Sequence, residues 1–145
     1  MDQLAFLFAL HLGPEAVRAD DFASVGLRTE VEALVRPERW YMIGPVGTLT
    51  FCGDESTVIF ASAGIRALVR PTPAVFFGVT IASVWVHAVG SSTEQAIAPE
   101  LVVGGNLGWI GSSHFQLVAN ASTFSLDGAN VLQLGLAVGL QHASF

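Results

Sequence analysis

Residues 25–35 read Val-Gly-Leu-Arg-Thr-Glu-Val-Glu-Ala-Leu-Val. Apolar side chains and one threonine occupy the odd positions, and Gly26, Arg28, Glu30 and Glu32 lie between them. An α-helix would spread these charges around its circumference, whereas a strand puts alternate side chains on one face. The stretch therefore predicts a β-strand with one apolar and one polar face.

The same alternation recurs along the whole chain. The uncharged stretch 73–90 is long enough for a transmembrane helix, but its Val, Ile, Phe, Thr and Trp content favours a strand. Strands of roughly 9–11 residues suffice to cross a bilayer when tilted. The sequence therefore predicts an all-β fold, an eight-stranded antiparallel up-and-down transmembrane β-barrel that forms a single domain over residues 1–145. Besides the strand at 25–35, strands are predicted around residues 4–12, 41–51, 59–69, 75–89, 101–109, 115–121 and 132–140.

An internal repeat supports this architecture. Residues 33–37 and 67–71 are both Ala-Leu-Val-Arg-Pro, and the same offset aligns Glu32 with Arg66. The repeating unit is a strand, a tight Arg-Pro turn and a second strand, which is the hairpin unit of an up-and-down barrel. Because Glu32 and Arg66 occupy equivalent positions, we expect an Arg–Glu network.

Composition excludes several classes of function. Charged residues make up 12% of the chain, against roughly 25% in an average soluble domain. The net charge of −6 argues against nucleic-acid binding, which needs a basic surface. Cys52 is the single cysteine, and the spacing of cysteine and histidine predicts no metal site. No cofactor motif is present either.

Residues 1–19 have two interpretations. The apolar run 4–12 and the small residues around Val17-Arg18-Ala19 resemble a signal peptide. The residues before the run, Met1-Asp2-Gln3, are acidic where a signal peptide is basic. We therefore interpret 4–12 as the first strand of the mature barrel and keep the signal peptide as the alternative.

The predicted connections differ in length at the two ends of the barrel. Those at 36–39, 70–73 and 111–113 are short, and we expect longer loops at 13–22, 52–56, 90–99 and 123–130. Such asymmetry is typical of outer-membrane barrels and predicts that both termini lie at the short-turn, periplasmic end. The longer loops collect acids, which we interpret as a solvated surface, with cations bridging lipopolysaccharide phosphates as the alternative. These acids are Glu15, Asp20, Asp21, Asp54, Glu55, Glu94 and Asp127.

The content of the two faces distinguishes a membrane barrel from a soluble lipocalin-like one. The apolar face is nearly pure Leu, Ile, Val, Phe and Ala, as lipid contact requires, and the other face is rich in small and uncharged polar residues. In strand count, loop asymmetry and its final aromatic residue, Phe145, the chain resembles the small eight-stranded outer-membrane barrels, such as the transmembrane domain of outer-membrane protein A. The resemblance covers the whole length and implies a monomer in the bacterial outer membrane, in contact with lipid or lipopolysaccharide. Two features depart from the pattern: Phe145 is out of phase with 132–140, and Pro45 requires a bulge or a break in pairing.

The polar face predicts a plug inside the barrel. An eight-stranded barrel is just wide enough for side chains to fill, and buried charges must be paired. We expect a hydrogen-bonded network, with a narrow proton or ion path as the alternative. Its predicted members are Arg28, Glu30, Glu32, Arg66, Arg70, His114, Gln116 and Asn120, with Asn106 and Gln133 on the same face.

Aromatic residues and histidines near the turns suggest interfacial positions. Trp40, Tyr41 and Trp109 fall near the short turns and Trp85 near the opposite end, as in the aromatic girdles of membrane barrels. His11 and His87 are interpreted as interfacial polar residues at the outer ends of strands.

His142-Ala143-Ser144 resembles the His-x-Ser pair of the lipid A 3-O-deacylase family, in which a glutamate completes a hydrolytic triad. The resemblance makes His142 and Ser144 the candidate catalytic residues, but no strand follows to supply the acid. We therefore expect a structural role, as an anchor or an envelope-stability element. A lipid-active hydrolase or a narrow pore is the alternative, and a soluble ligand-binding barrel is the third.

Overall fold

The computed structural model describes residues 4–20, 22–53, 57–88 and 93–144, with the backbone alone at Ser144. Its eight strands are β1 (Ala5–Ala19), β2 (Phe22–Glu38), β3 (Tyr41–Gly53), β4 (Thr57–Thr72), β5 (Val75–Ala88), β6 (Glu94–Ile110), β7 (Ser113–Leu126) and β8 (Ala129–Ser144).

The strands form one closed antiparallel barrel in chain order. Each strand pairs with the next, and β8 returns to β1 over a register that runs from Phe6 opposite Ser144 to Arg18 opposite Leu132. Among the described residues, no helix is long and apolar enough to cross a membrane. The predicted fold class and strand count are confirmed.

The apolar face lies on the outside of the barrel. Large apolar side chains are exposed on every strand, and the alternate residues of the same strands are buried. A soluble barrel would place the apolar set inside. The outward set includes Phe6, Leu10, Val31, Ile43, Ile65, Ile81, Leu101, Leu117 and Leu136.

The interior is layered rather than polar along its whole length. An apolar cluster that includes Leu34, Met42 and Phe76 fills the end that holds the short turns. A second cluster, with Phe60, Phe124 and Val131, fills the opposite end. The buried charged residues lie between them, because β2 runs from Leu34 through Glu32, Glu30 and Arg28 toward Phe22.

The predicted loop at 13–22 is wrong, because β1 continues to Ala19. Gly13-Pro14 suggests a turn, but in the structure both residues pair with β2 and lack a partner only in β8. Proline has no N–H to donate, so it is tolerated where one side of a strand is unpaired. The outcome for Pro45 is the same: it pairs with Ile65 of β4 and has no partner in β2, which is the predicted local break in pairing.

The remaining connections are also shorter than predicted. The expected loop at 123–130 shrinks to the turn Asp127-Gly128, and β6 already begins at Glu94 rather than after 99. Both turn residues have positive φ, 46° for Asp127 and 81° for Gly128, as in the two-residue turns that match the twist of a hairpin. The length asymmetry that we used to orient the barrel is therefore small, although the described termini do lie at the end with the turns after β2, β4 and β6.

Asp127 also affects the carboxyl group of Glu94 at the start of β6. A hydrogen bond from one carboxyl to the other, and the repulsion between them when both are charged, raise the pKa of Glu94 above its ordinary value. Because the folded state holds this proton more tightly than the unfolded chain, the contribution to stability is present at low pH and is lost as the pH rises through the raised pKa.

We expect Asp127→Asn to lower the pKa of Glu94 toward its ordinary value and to leave the turn intact, because Asn-Gly also adopts positive φ at both positions. A pH titration of the Glu94 side-chain carbon by NMR measures this shift. Asp20→Asn, in the turn after β1, is the matched control and should leave Glu94 unchanged. An unchanged Glu94 titration in Asp127→Asn would show that the two carboxyl groups do not interact.

Candidate functional site

Arg66 is at the centre of the polar layer. It is 1% exposed, and it reaches this position because even-numbered residues of β4 around it face inward. Its Nη1 donates to Glu30 and, at 2.7 Å, to Glu32 Oε2; its Nη2 donates to Glu100 Oε1 at 2.8 Å. Its Nε donates to Thr80 Oγ1 at 2.8 Å. One guanidinium therefore connects β2, β4, β5 and β6 across the interior.

Arg28 binds the next group of acids toward the opposite end. Its Nη1 lies 2.7 Å from Glu15 Oε2 and 2.9 Å from Glu100 Oε2, and its Nη2 donates to Glu30 Oε2 at 2.6 Å. Thr50 Oγ1 donates to the other oxygen of Glu15 at 3.0 Å. Glu30 and Glu100 are shared by both arginines, so the two ion-pair groups form one network.

His11 extends the network toward β7. Its Nε2 lies 2.8 Å from Gln116 Oε1, and Gln116 Nε2 donates to Asn106 Oδ1 at 2.9 Å. Since Gln116 presents its carbonyl oxygen to the ring, Nε2 must carry the hydrogen. The other ring nitrogen, Nδ1, is 3.3 Å from Glu30 Oε1, yet it is the one fully buried side-chain nitrogen or oxygen without a hydrogen-bond partner in the described part of the chain.

The polar layer has more acids than bases. Its buried carboxylates are Glu15, Glu30, Glu32 and Glu100, and its guanidiniums are those of Arg28 and Arg66. Four negative charges against two positive charges leave an excess of two negative charges if His11 is neutral. Uncompensated charge is costly away from water, so this excess constrains what the interior must hold.

The structure brings together five of the residues that we predicted for the interior network and adds five. Arg28, Glu30, Glu32, Arg66 and Asn120 meet at the centre. The interpretation of Glu15 as a loop acid and of His11 as an interfacial residue is wrong, because both are buried inside β1. The additional members are His11, Glu15, Thr50, Thr80 and Glu100.

Three further residues that we predicted for the interior lie toward the short-turn end. Arg70 is half-buried and donates to the Pro73 carbonyl at 3.1 Å, and His114 stacks against Trp109 with ring centroids 3.7 Å apart. Gln116 lies between this end and the centre and contacts the network through His11.

Glu100 could have been predicted from the sequence, since it lies on the polar face of its strand, opposite Leu101 and Val103.

The other predicted sites have few interacting groups. His142 Nδ1 lies 3.4 Å from the hydroxyls of Ser112 and Ser113, and it makes no ion pair with a carboxylate among the described residues. The side chain of Ser144 and the whole of Phe145, Asp21, Asp54 and Glu55 lie outside the described residues. Trp40 and Trp109 are exposed at the short-turn end, Tyr41 packs against Trp40, and Trp85 lies toward the other end.

Little free space remains beside the network. The cavity next to Arg28 and Glu100, lined also by Thr50 and Ser122, measures about 20 Å³. That volume holds roughly one water molecule. Side chains therefore fill this part of the interior.

We expect Arg66→Met to destabilise the barrel by about 3–5 kcal/mol, because it leaves Glu30, Glu32 and Glu100 short of a buried partner. Urea unfolding of the refolded protein in detergent, followed by tryptophan fluorescence, measures the change. Arg70→Met is the matched control and should cost under about 1 kcal/mol, since Arg70 is half-buried with one backbone acceptor. Equal losses for the two variants would contradict a central role for Arg66.

Comparison with known proteins identifies the fold. No family model matches the sequence, and no curated protein matches it. Neisserial surface protein A superposes with a TM-score of 0.77 at 13% identity, over 95% of this chain and 97% of that one. Ail, the attachment invasion locus protein of Yersinia pestis, gives 0.64 at 13% identity over 94% and 97%. OprG of Pseudomonas aeruginosa gives 0.54 at 8% identity over 97% and 95%. The chain has the fold of the small eight-stranded outer-membrane β-barrels, as the resemblance in the sequence implied.

Proposed function

We propose that this chain is a monomeric bacterial outer-membrane barrel with a structural role, an anchor or envelope-stability element whose interior is closed to ions. The observation that carries the proposal is the arrangement of the barrel wall. Large apolar side chains are exposed on every strand, while two arginines and four glutamates are buried at the centre. Such a wall is stable in lipid and unfavourable in water.

The layered interior supports a plug rather than a pore. An ion would have to pass two apolar clusters and displace side chains that are bound to Arg28 and Arg66. Moving an ion through apolar layers without water is costly. This arrangement favours the structural role over the narrow pore.

The short connections between the strands, together with the apolar outer wall, favour lipid or lipopolysaccharide as the partner. The strands are joined by only residues 20–21, 54–56, 89–93 and 127–128 at one end and by 39–40, 73–74 and 111–112 at the other. These short connections offer little surface for binding a protein. The hydrolase alternative has less support, since His142 contacts hydroxyl groups and no carboxylate among the described residues.

Planar-bilayer recording tests the plug. After refolding in detergent, the protein should run at different positions on a gel when unboiled and when boiled, which shows a closed barrel, and should then give no unitary current steps. Arg70→Met, outside the polar layer, should behave in the same way. Reproducible current steps from the folded wild-type protein would overturn the plug and favour the pore.

A charge on the outer wall tests the membrane location. Leu10 is 55% exposed and pairs with Val31 and Leu140 near mid-strand, so Leu10→Arg should cost about 2–4 kcal/mol in lipid vesicles. Val25 is 69% exposed near the start of β2, at the end of the barrel away from the short turns. Val25→Arg should therefore cost about 0–1 kcal/mol. Unfolding by urea in vesicles measures both. In a water-soluble barrel neither substitution would change the free energy of unfolding, and that result would overturn the proposal.

A further inference from the structure

We propose that His11, Glu30 and Glu32 form a buried binding site for one divalent transition-metal ion, with Zn²⁺ as the best-matched ion. One ligand atom from each of the three side chains lies within 4.8 Å of the others, and all three residues are buried. Imidazole nitrogen with carboxylate oxygens is a ligand set that zinc accepts. This inference is independent of the role of the barrel in the membrane.

The first argument is the orientation of His11. Gln116 Oε1 accepts the hydrogen on Nε2 at 2.8 Å, and Asn106 in turn accepts a hydrogen bond from the Gln116 amide. This leaves Nδ1 of the neutral ring with a lone pair. A histidine whose far nitrogen donates to a carbonyl oxygen while the near nitrogen carries a free lone pair is arranged as metal-binding histidines are.

The second argument is the environment of that lone pair. His11 is 2% exposed, and its Nδ1 has no hydrogen-bond partner among the described residues, although Glu30 Oε1 is only 3.3 Å away. Two groups that both present lone pairs repel each other at this distance. A cation between them, either a metal ion or a proton on Nδ1, converts the repulsion into attraction.

The third argument is charge. The polar layer carries four carboxylates and two guanidiniums, an excess of two negative charges that one divalent ion would neutralise. A single proton on His11 would leave one negative charge uncompensated. Glu32 is the carboxylate best able to take a ligand role, because Arg66 is its one hydrogen-bond partner among the described residues, whereas Glu30 binds both arginines.

The fourth argument concerns exchange. The apolar clusters at the two ends separate this cluster from both mouths of the barrel. An ion bound during folding should therefore leave slowly, and a chelator added after folding should remove it far more slowly than it removes ions from the surface.

The test is refolding of the wild-type protein in detergent with ZnCl₂, followed by EDTA, desalting and elemental analysis. We expect about one zinc per folded barrel in the wild type and in His142→Gln and His114→Gln, whose histidines lie outside the polar layer. His11→Gln and Glu32→Gln should retain less than about a tenth of that amount. Gln116→Leu should weaken binding by roughly 10–100-fold in competition with a chelator, since it removes the acceptor that orients His11.

The gel shift on boiling shows which variants fold, so loss of metal is separated from loss of structure. If the His11 and Glu32 variants do not fold, X-ray absorption at the zinc edge of the wild type decides: one imidazole and carboxylate oxygens support the site. No retained zinc in the folded wild type, equal zinc in His11→Gln, or a spectrum with several imidazoles would each overturn the proposal, and the first would assign the cation role to a proton.

Discussion

The pairing of β8 with β1 is the constraint on which the rest of this structure depends. A backbone group in lipid has no water to bind, so every N–H and C=O must find a partner within the protein, and a sheet with free edges cannot provide them. Closure removes both edges at once. With eight strands, closure also sets an interior just wide enough for side chains, so the inward residues of opposite strands are forced into contact.

That contact explains why the interior is layered. Two apolar clusters pack at the ends without needing partners, but the central residues are ionised and must satisfy one another. Arg28 and Arg66 do so by sharing Glu30 and Glu100 between them. A buried network of this kind contributes little net stability compared with apolar packing of the same volume, whereas breaking one member is costly. Its physical effect is on register, because the ion pairs of Arg66 with Glu30, Glu32 and Glu100 join strands that are not neighbours in the sheet.

Sequence alone predicts the fold well because alternation is a local signal. The exposed residues of β1 and β8 are those that spacing two assigned to the lipid face. The ends of the strands were harder to predict. Gly13-Pro14 and Asp127-Gly128 are both typical turn residues, but the first pair lies within β1 and the second forms a turn. Asp-Gly between alternating strands is a strong hairpin signal that allows a tight turn, so the long loop predicted there was avoidable. Gly13-Pro14 gives no such signal, because only the unbroken pairing of both residues with β2 shows that the chain passes straight through.

The candidate site was predictable in part, because alternation shows which residues of one strand share a face. Spacing within one strand identifies Arg28, Glu30 and Glu32 as neighbours on a face, and the repeat adds Arg66. Glu15 and His11 were missed because assigning them requires the true length of β1. The pairing between side chains of distant strands depends on the shear of the closed barrel, which no local pattern encodes.

The repeat shows how this interior can arise. Glu32 and Arg66 align in the two copies of the hairpin, and in the barrel Arg66 Nη1 lies 2.7 Å from Glu32 Oε2. Gly44 and Gly78 align as well, and each approaches the carbonyl of an aligned alanine, Ala33 or Ala67, so closely that a Cβ would collide with it. The backbone contact is the same in both copies, while the aligned inward residue differs in charge. Two glutamates or two arginines at 32 and 66 would repel across the interior, so an ion pair there requires that the two copies differ at this position. The repeat therefore supplies the matching backbone, and the divergence of one inward residue supplies the attraction between β2 and β4.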